Sequence, residues 1–565
     1  MDDRSRLGPA QRERDLRRLK TEIFDVVVVG GGVTGAGAAL DAASRGLTVA
    51  LVEARDWAAG TSSRSSKLIH GGLRYLEQLD LPLVREALVE RGGQLRTIAP
   101  HVVRPLPFLL PLTAPIWQRA YFGAGVLLYD VLSSTFGAAG GVPRHRHLSK
   151  RAALAAFPGL RPDRLRGAIR FYDAQVDDAR HTLSLARTAA AYGCAAVSSA
   201  RVVDLLRSGT AVSGVRVRCL ETGEAIDVRS RSVIAATGVW SDDIGDMLGG
   251  PISVRVRASK GVHLVVARDR IDGSAGLILR TETSVLFVIP WGSHWIIGTT
   301  DTDWNLDRAH PAASSADIDY LLERVNRVLA RPLLRSDIEG VYAGLRPLLA
   351  GESDATSRLS REHTVVTPAP GLALVAGGKY TTYRVMGADA VDAATVEFRG
   401  VTRSRTARLP LIGARLSLDR TMLAQRYEVA RSTVDVLLAR YGDRVGELLE
   451  LMAEQPELAR PLPGAGDHLA VEVHYAALAE GALHLDDVLT RRTRISVQTP
   501  HRGLESAERV AALMAPVLGW SAAVRDREIE HYRARVAAEL ESQRMPDDRT
   551  ADAARLGAPD VRAGG

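Results

Sequence analysis

The sequence predicts an α/β protein in three parts: a doubly wound sheet, a mixed sheet interleaved with it along the chain, and a helical C-terminal domain. Three observations carry this reading. Near the N-terminus an apolar run at 26–29 feeds a glycine-rich turn and an alanine-rich stretch, the strand–turn–helix that opens a doubly wound sheet. Short strand-like runs then recur at 211–218, 232–236, 261–267, 285–289 and 295–298. From about 415 the pattern turns helical and stays so to about 543, apart from a loop at 461–466.

The length supports the division, because 565 residues exceed what one compact core holds. Residues 1–22 read as a flexible extension and 23–400 as the α/β region. Within it, two interleaved sets of segments are expected, one at about 23–110, 170–250 and 350–400 and the other chiefly at 251–349; the resemblance described below implies cofactor binding by the first set and substrate binding by the second. The helical domain spans 410–543, and the Asp-, Arg-, Ala- and Gly-rich residues 544–565 read as a disordered tail. Between these landmarks, 83–99 and 180–193 carry helical patterns, and prolines at 105–115 impose extended chain. The two runs at 285–289 and 295–298 flank Pro290 to His294, a hairpin turn.

Two cysteines, Cys194 and Cys219, argue against a disulfide framework or a cysteine-ligated metal site and fit a reducing cytosol. The arginine-rich N-terminus lacks the apolar stretch of a secretion signal. No window approaches about 18 uninterrupted apolar residues, so a spanning helix is not expected. The net charge of +7 points to an anionic partner such as a phosphorylated substrate, an anionic lipid surface or nucleic acid. Only five of the 73 basic residues are lysine, namely Lys20, Lys67, Lys150, Lys260 and Lys379. Three of them fall inside the motifs below.

Gly30, Gly32 and Gly35 form G-x-G-x-x-G between the first strand and its helix. Glycines there let backbone amides approach a pyrophosphate at the positive helix end. A second strand ends in Glu53, 18 residues after Gly35, where a carboxylate can accept hydrogen bonds from a ribose. With strand, helix and acid in register, the pattern is a Rossmann-like dinucleotide site, although it does not separate NAD from FAD. The following stretch holds Thr61, Ser62, Ser63, Lys67, Leu68, His70, Gly71 and Gly72. Its hydroxyls suit ribityl and phosphate oxygens, and the Gly-Gly pair admits a flat ring. Thr237 and Gly238 end a strand where backbone can close over the dinucleotide.

The run TSSRSSKLIHGGLRYLE at 61–77 closely resembles the FAD-dependent glycerol-3-phosphate dehydrogenases. The resemblance continues through VDDAR (176–180), ATGVW (236–240), KGVH (260–263), VIPW (288–291), GTTD (298–301), GLRPL (344–348) and GGKYTTYR (377–384). RRTR at 491–494 resembles a signature of that family's C-terminal domain, so the likeness runs in order over about 24–500. It implies FAD as cofactor, bound by the residues already named together with Val203, Gly378, Lys379, Thr381 and Thr382. It also implies oxidation of sn-glycerol 3-phosphate to dihydroxyacetone phosphate, with electrons passed to quinone at the inner face of the cell membrane.

That reaction needs a base at the alcohol and a cationic clamp on the phosphate, for which arginine's planar fork is suited. Arg346 is the first choice for the clamp and Arg74 the second. His263 titrates near neutrality and is the candidate base; Tyr75 is an alternative group to orient the hydroxyl. Lys379, beside a helix start, can stabilise negative charge on a reduced flavin. Thr299 to Asp301 read as floor structure. The aromatic segment from Ile116 to Tyr129 is either an interfacial helix or a buried one. A homodimer is carried as an expectation. Competing readings are an oxidase that returns electrons to oxygen, an FAD amine oxidase, and a basic nucleic-acid-binding flavoprotein. The last is disfavoured because the arginines are scattered without interleaved aromatics.

Overall fold

The computed structural model describes residues 3–72, 80–114, 117–135, 142–280, 285–350, 362–415 and 417–562. Its first sheet has eight strands. Leu372–Gly377, Ala225–Ala235, Ile23–Val29, Val49–Val52 and Ala195–Val197 lie parallel in that order. His363–Ala369 runs antiparallel at one edge, and the hairpin Ala200–Ser208 and Ala211–Cys219 extends from Ala225–Ala235. The central strand is a valine run with Val26, Val27 and Val28 fully buried, as a strand covered on both faces requires. Helices Val33–Ser44, Asp178–Ala191 and Tyr383–Ala394 supply one cover. Residues from the hairpin, together with Leu19 and Ile244, supply the other.

Two expectations for the chain ends are corrected. Residues 3–22 are not a loose extension: Pro9–Thr21 is a helix with Gln11, Asp15 and Leu19 buried. Gln11 donates to the Ala196 carbonyl at 3.1 Å, and Asp15 accepts from the Ala196 amide at 3.0 Å. The helix thus satisfies backbone groups of an edge strand that would otherwise stand open. Residues 544–562 of the tail are likewise ordered. Asp548–Arg555 is a helix capped by Asp547, and Ala551, Arg555 and Arg562 are buried. Polar composition suggested disorder because the partners of these charges lie far away in sequence.

The second sheet has ten strands and is mixed. Val256–Ala267 pairs on one side with Ile338–Leu349 and on the other with His294–Gly298 and Thr302–Asp303. Val285–Trp291 and His294–Gly298 form the expected hairpin, with Gly292 at φ +59° in its two-residue turn. Val103–Leu112 is a full strand despite Pro105, Pro107 and Pro111. Those prolines alternate, so their missing donors share one side, where the neighbouring strand pairs only at Phe108 and Leu109.

Residues 420–542 are mainly helical, and the 461–466 loop is in fact a small hairpin. Val434, Leu448, Tyr475, Val510, Met514 and Val536 belong to a separate core. Buried ion pairs tie this core to the first sheet. Arg492 donates twice to Asp56 at 2.8 Å and Arg491 once at 2.5 Å, while Arg494 reaches Asp177 at 2.8 Å and Asp178 at 2.6 Å.

Candidate active site

A long cavity of about 1010 Å³ runs from the glycine turn of the first sheet to the strands of the second. Gly30, Gly32, Glu53, Thr61, Ser62, Leu68, His70, Gly72, Thr237 and Gly238 all line it. A Cβ on Gly30 would lie 2.5 Å from the Ala236 carbonyl oxygen, and its φ of +110° excludes ordinary side chains. Gly32 caps helix Val33–Ser44, whose first amide donates to Ser62 Oγ at 2.9 Å. Glu53 accepts from the amides of Gly31 at 2.6 Å and Arg55 at 2.8 Å. Burial raises its pKa despite those two donors. Arg55 and Arg64 form the facing wall, both donating to the Ala309 carbonyl, at 3.1 and 3.3 Å. Burial and neighbouring arginines push Arg64 down to about 9.

At the other end, adjacent strands bring together His263 and Arg346, with Lys379 also on the wall. Arg346 donates to Thr299 Oγ1 at 2.9 Å, the Thr300 carbonyl at 3.1 Å and Ser259 Oγ at 3.3 Å, and pairs with Asp301 at 3.4 Å. The guanidinium is therefore oriented before any ligand arrives. A Cβ on Gly261 would fall 2.6 Å from Arg346 Nη2, so only glycine leaves room for the fork. His263 stacks on Tyr342 with ring centroids 4.7 Å apart, and its Nε2 lies 2.8 Å from Ser66 Oγ. Its Nδ1 is buried and hydrogen-bonds to none of the described residues. Burial, Arg346 and Lys67 drive its pKa well below the usual histidine value, so the imidazole is neutral. Lys379 follows Gly377 and Gly378, at φ +73° and +78°, and precedes helix Tyr383–Ala394.

Several expected contacts stand behind the wall rather than on it. Lys67 is the main correction. At φ +57° it turns inward, and its Nζ donates to Asp178 at 2.8 Å and the Ser63 carbonyl at 3.2 Å. Asp178 also accepts from Ser65 and Arg494, so Lys67 and Ser63 brace the loop from behind. Gly35 packs helix against strand, since a Cβ there would collide with the Gly30 carbonyl. Gly71 donates its amide to Asp173 at 3.0 Å. Thr381 donates to the His70 carbonyl at 3.3 Å, and Thr382 is the N-cap of helix Tyr383–Ala394. Val203 is exposed, whereas Ala200, Arg201 and Val202 line the cavity. Arg74 and Tyr75 lie outside the described residues.

Sequence reasoning missed Arg55, Arg64, Ser66, Trp240 and Arg308 on the wall. It also set aside Thr299 and Asp301, which hold Arg346. The motif GTTD was the signal for the last two; for Arg55 and Arg308 no local signal exists.

The sheet pair, the glycine cradle and the long cavity define an FAD-dependent oxidoreductase, and the profile described as "FAD dependent oxidoreductase" matches residues 25–384. The profile "C-terminal domain of alpha-glycerophosphate oxidase" matches residues 404–525. The chain is 58% identical to glycerol-3-phosphate dehydrogenase 2 of Mycobacterium tuberculosis, over 99% of its own length and 95% of that protein. It is 37% identical to the human mitochondrial glycerol-3-phosphate dehydrogenase, over 93% of its length and 75% of that protein. The glycerol-3-phosphate dehydrogenase of Bacillus halodurans, solved with FAD, superposes with a TM-score of 0.77 at 27% identity, covering 94% and 98% of the two chains. The chain belongs to the FAD-dependent glycerol-3-phosphate dehydrogenase family.

FAD is its cofactor, and the residues present fit that group. The turn at Gly30 admits backbone but no side chain, the helix start at Val33 is aimed into the cavity, and Glu53 sits at the second strand end.

Proposed function

We propose that the protein oxidises sn-glycerol 3-phosphate to dihydroxyacetone phosphate and passes the electrons to quinone at a membrane surface. The observation that carries this reading is the pre-oriented Arg346 fork beside a neutral His263 on adjacent strands of one cavity. Bound FAD supplies the hydride acceptor. Arg346 clamps the substrate phosphate, which fixes where C2 sits in the cavity. His263, neutral and on the wall, takes the hydroxyl proton as C2 gives up its hydride, leaving a ketone. Lys379 and the N-terminus of helix Tyr383–Ala394 would offer the bound flavin positive charge.

The membrane part of the proposal rests on helix Trp117–Thr135. Trp117, Tyr121, Leu127, Leu128 and Val131 are exposed on it, while Val126 and Tyr129 are buried. Tyr121, Phe122 and Leu128 also border the cavity, which places an apolar surface beside its mouth. No described helix is long and apolar enough to cross a membrane. Peripheral attachment at the inner face of the cell membrane is therefore the arrangement we propose.

The test is anaerobic stopped-flow reduction of the holoenzyme followed by flavin absorbance. Bleaching by sn-glycerol 3-phosphate, with none by glycerol or amino acids, is the expected result. Reoxidation faster by quinone than by oxygen supports the dehydrogenase. The reverse order would make the protein an oxidase, and bleaching by an amine would overturn the substrate assignment.

A further inference from the structure

The last described residues of the chain fold back onto the wall of the cofactor cavity. The Met545 carbonyl accepts from the Ser315 amide at 2.8 Å. Asp548 pairs with Lys260, a fully buried lysine that also reaches Asp317 at 2.6 Å. Ala551, fully buried, packs in one cluster with Val239, Ala258, Trp304, Ala312 and Leu345. Arg555 lies 3.3 Å from His310 Nδ1, and Asp560 sits 3.3 Å from His310 Nε2 and 3.7 Å from Arg55. Arg562 closes the run with two hydrogen bonds to Asp487, at 2.9 and 2.8 Å.

Ala551, Arg555 and Asp560 meet residues 304–314, while Met545, Asp548 and Arg562 fasten the tail at Ser315, Lys260 and Asp487. That loop has one side on the tail and the other on the cavity: Arg308 and Ala309 are wall residues, and the Ala309 carbonyl anchors Arg55 and Arg64. Arg308 in turn donates to the Val239 carbonyl at 3.1 Å and pairs with Asp243 at 2.8 Å. The tail is therefore the outer layer of a sandwich whose inner layer is an arginine-bearing wall facing the nucleotide end. Arginines on such a wall suit the phosphates of a dinucleotide.

We propose that residues 545–562 act as a clasp that holds the 304–314 loop, and with it Arg55, Arg64 and Arg308, closed over the cofactor, so that the clasp sets how long FAD stays bound. Asp560 is the main positioning residue, because it faces both His310 on the loop and Arg55 on the wall. Asp548 is the second fastening, at Lys260 on the strand that also carries His263. The proposal rests on FAD occupying this cavity.

The experiment measures FAD release from diluted holoenzyme by the rise in free-flavin fluorescence, with folding followed by circular dichroism and thermal melting. The proteins are the wild type, a chain ending at Arg544, Asp560→Ala, and Asp419→Ala, which removes a helix cap in the C-terminal region. Release at least tenfold faster in the shortened chain and at least threefold faster in Asp560→Ala, with unchanged helical signal, is expected. Should the shortened chain fail to fold, Asp560→Ala decides alone. Release within twofold of the wild type in the folded variants would overturn the clasp. So would an equal acceleration in Asp419→Ala at a matched loss of melting temperature, since that would mean general loosening. Wild-type protein purified without bound flavin would instead refute the cofactor assignment.

Discussion

Replacing Gly261 by alanine tests the clamp without touching a charge. Gly261 lies in strand Val256–Ala267 opposite Gly344, so its backbone tolerates a side chain. The added methyl would sit 2.6 Å from Arg346 Nη2 and 3.0 Å from its Cζ, and closer still to Thr299 Oγ1. Ordinary van der Waals contact requires about 3.5 Å, so the guanidinium must retreat by about 1 Å. Arg346 is tied to Thr299, Thr300, Ser259 and Asp301, and all four contacts resist that movement. A misplacement of about 1 Å costs on the order of 100-fold in rate, equivalent to about 2.7 kcal/mol of transition-state stabilisation. Overpacking should also lower stability by about 1–3 kcal/mol. The assay is single-turnover flavin reduction across a range of glycerol 3-phosphate concentrations, with FAD content measured in parallel. The expected result is a kcat/KM reduced about 100-fold at full flavin loading. A folded, flavin-loaded variant within threefold of the wild type would refute the assignment of Arg346 as the phosphate clamp.

Three further outcomes are expected. Arg346→Lys keeps the charge and loses the fork, so KM for glycerol 3-phosphate should rise roughly 10- to 100-fold in steady-state assays while the flavin spectrum stays unchanged. Asp56→Ala removes the carboxylate that pairs with buried Arg492 and one of the three that pair with buried Arg491, and should destabilise the protein by about 3–5 kcal/mol, seen as a lower melting temperature. For His484, burial and Arg562 favour the neutral form, but hydrogen bonds to Glu221 and Glu528 prevail and its pKa is raised to about 9. Its stabilising contribution is therefore complete below the unfolded value near 6.5 and is lost as pH climbs through about 9. Thermal melting at pH 6.5 and 9.5 should show a pH-dependent loss of up to about 3 kcal/mol in the wild type that His484→Gln lacks.

The nucleotide end was legible because its information is local. Gly30, Gly32 and Glu53 act through a turn, a helix start and a strand end, each set by neighbours in sequence. Membership in a motif did not reveal where a side chain points. Lys67 shares its segment with Ser62 and His70, yet a positive φ sends it away from the cavity to Asp178. Val203 illustrates the same limit on a strand: Ala200, Arg201 and Val202 line the cavity, and Val203, one residue further on, is exposed. The two chain ends were misread for a related reason. Their charges look like solvated surface until Ala196, Lys260 and Asp487 are brought to them by the fold.

The scarce lysines show how composition can point to important positions without saying what they do. Of the three inside motifs, only Lys379 lines the cavity. Lys67 and Lys260 are both fully buried and each is held by carboxylates, Asp178 for the first and Asp317 with Asp548 for the second. A compact ammonium fits such a space where a planar five-donor fork would need more partners. Charge retained at these points therefore follows first from packing, and only at Lys379 from a place on the cavity wall. Burying an ammonium is costly unless it is paired, so each of these lysines commits acidic partners from distant segments. Lys67 joins the Ser-rich loop to Asp178, and Lys260 joins the substrate strand to the C-terminal tail. The same ion pairs that neutralise buried charge thus fix the elements that carry Ser66, His263 and Arg346 relative to one another.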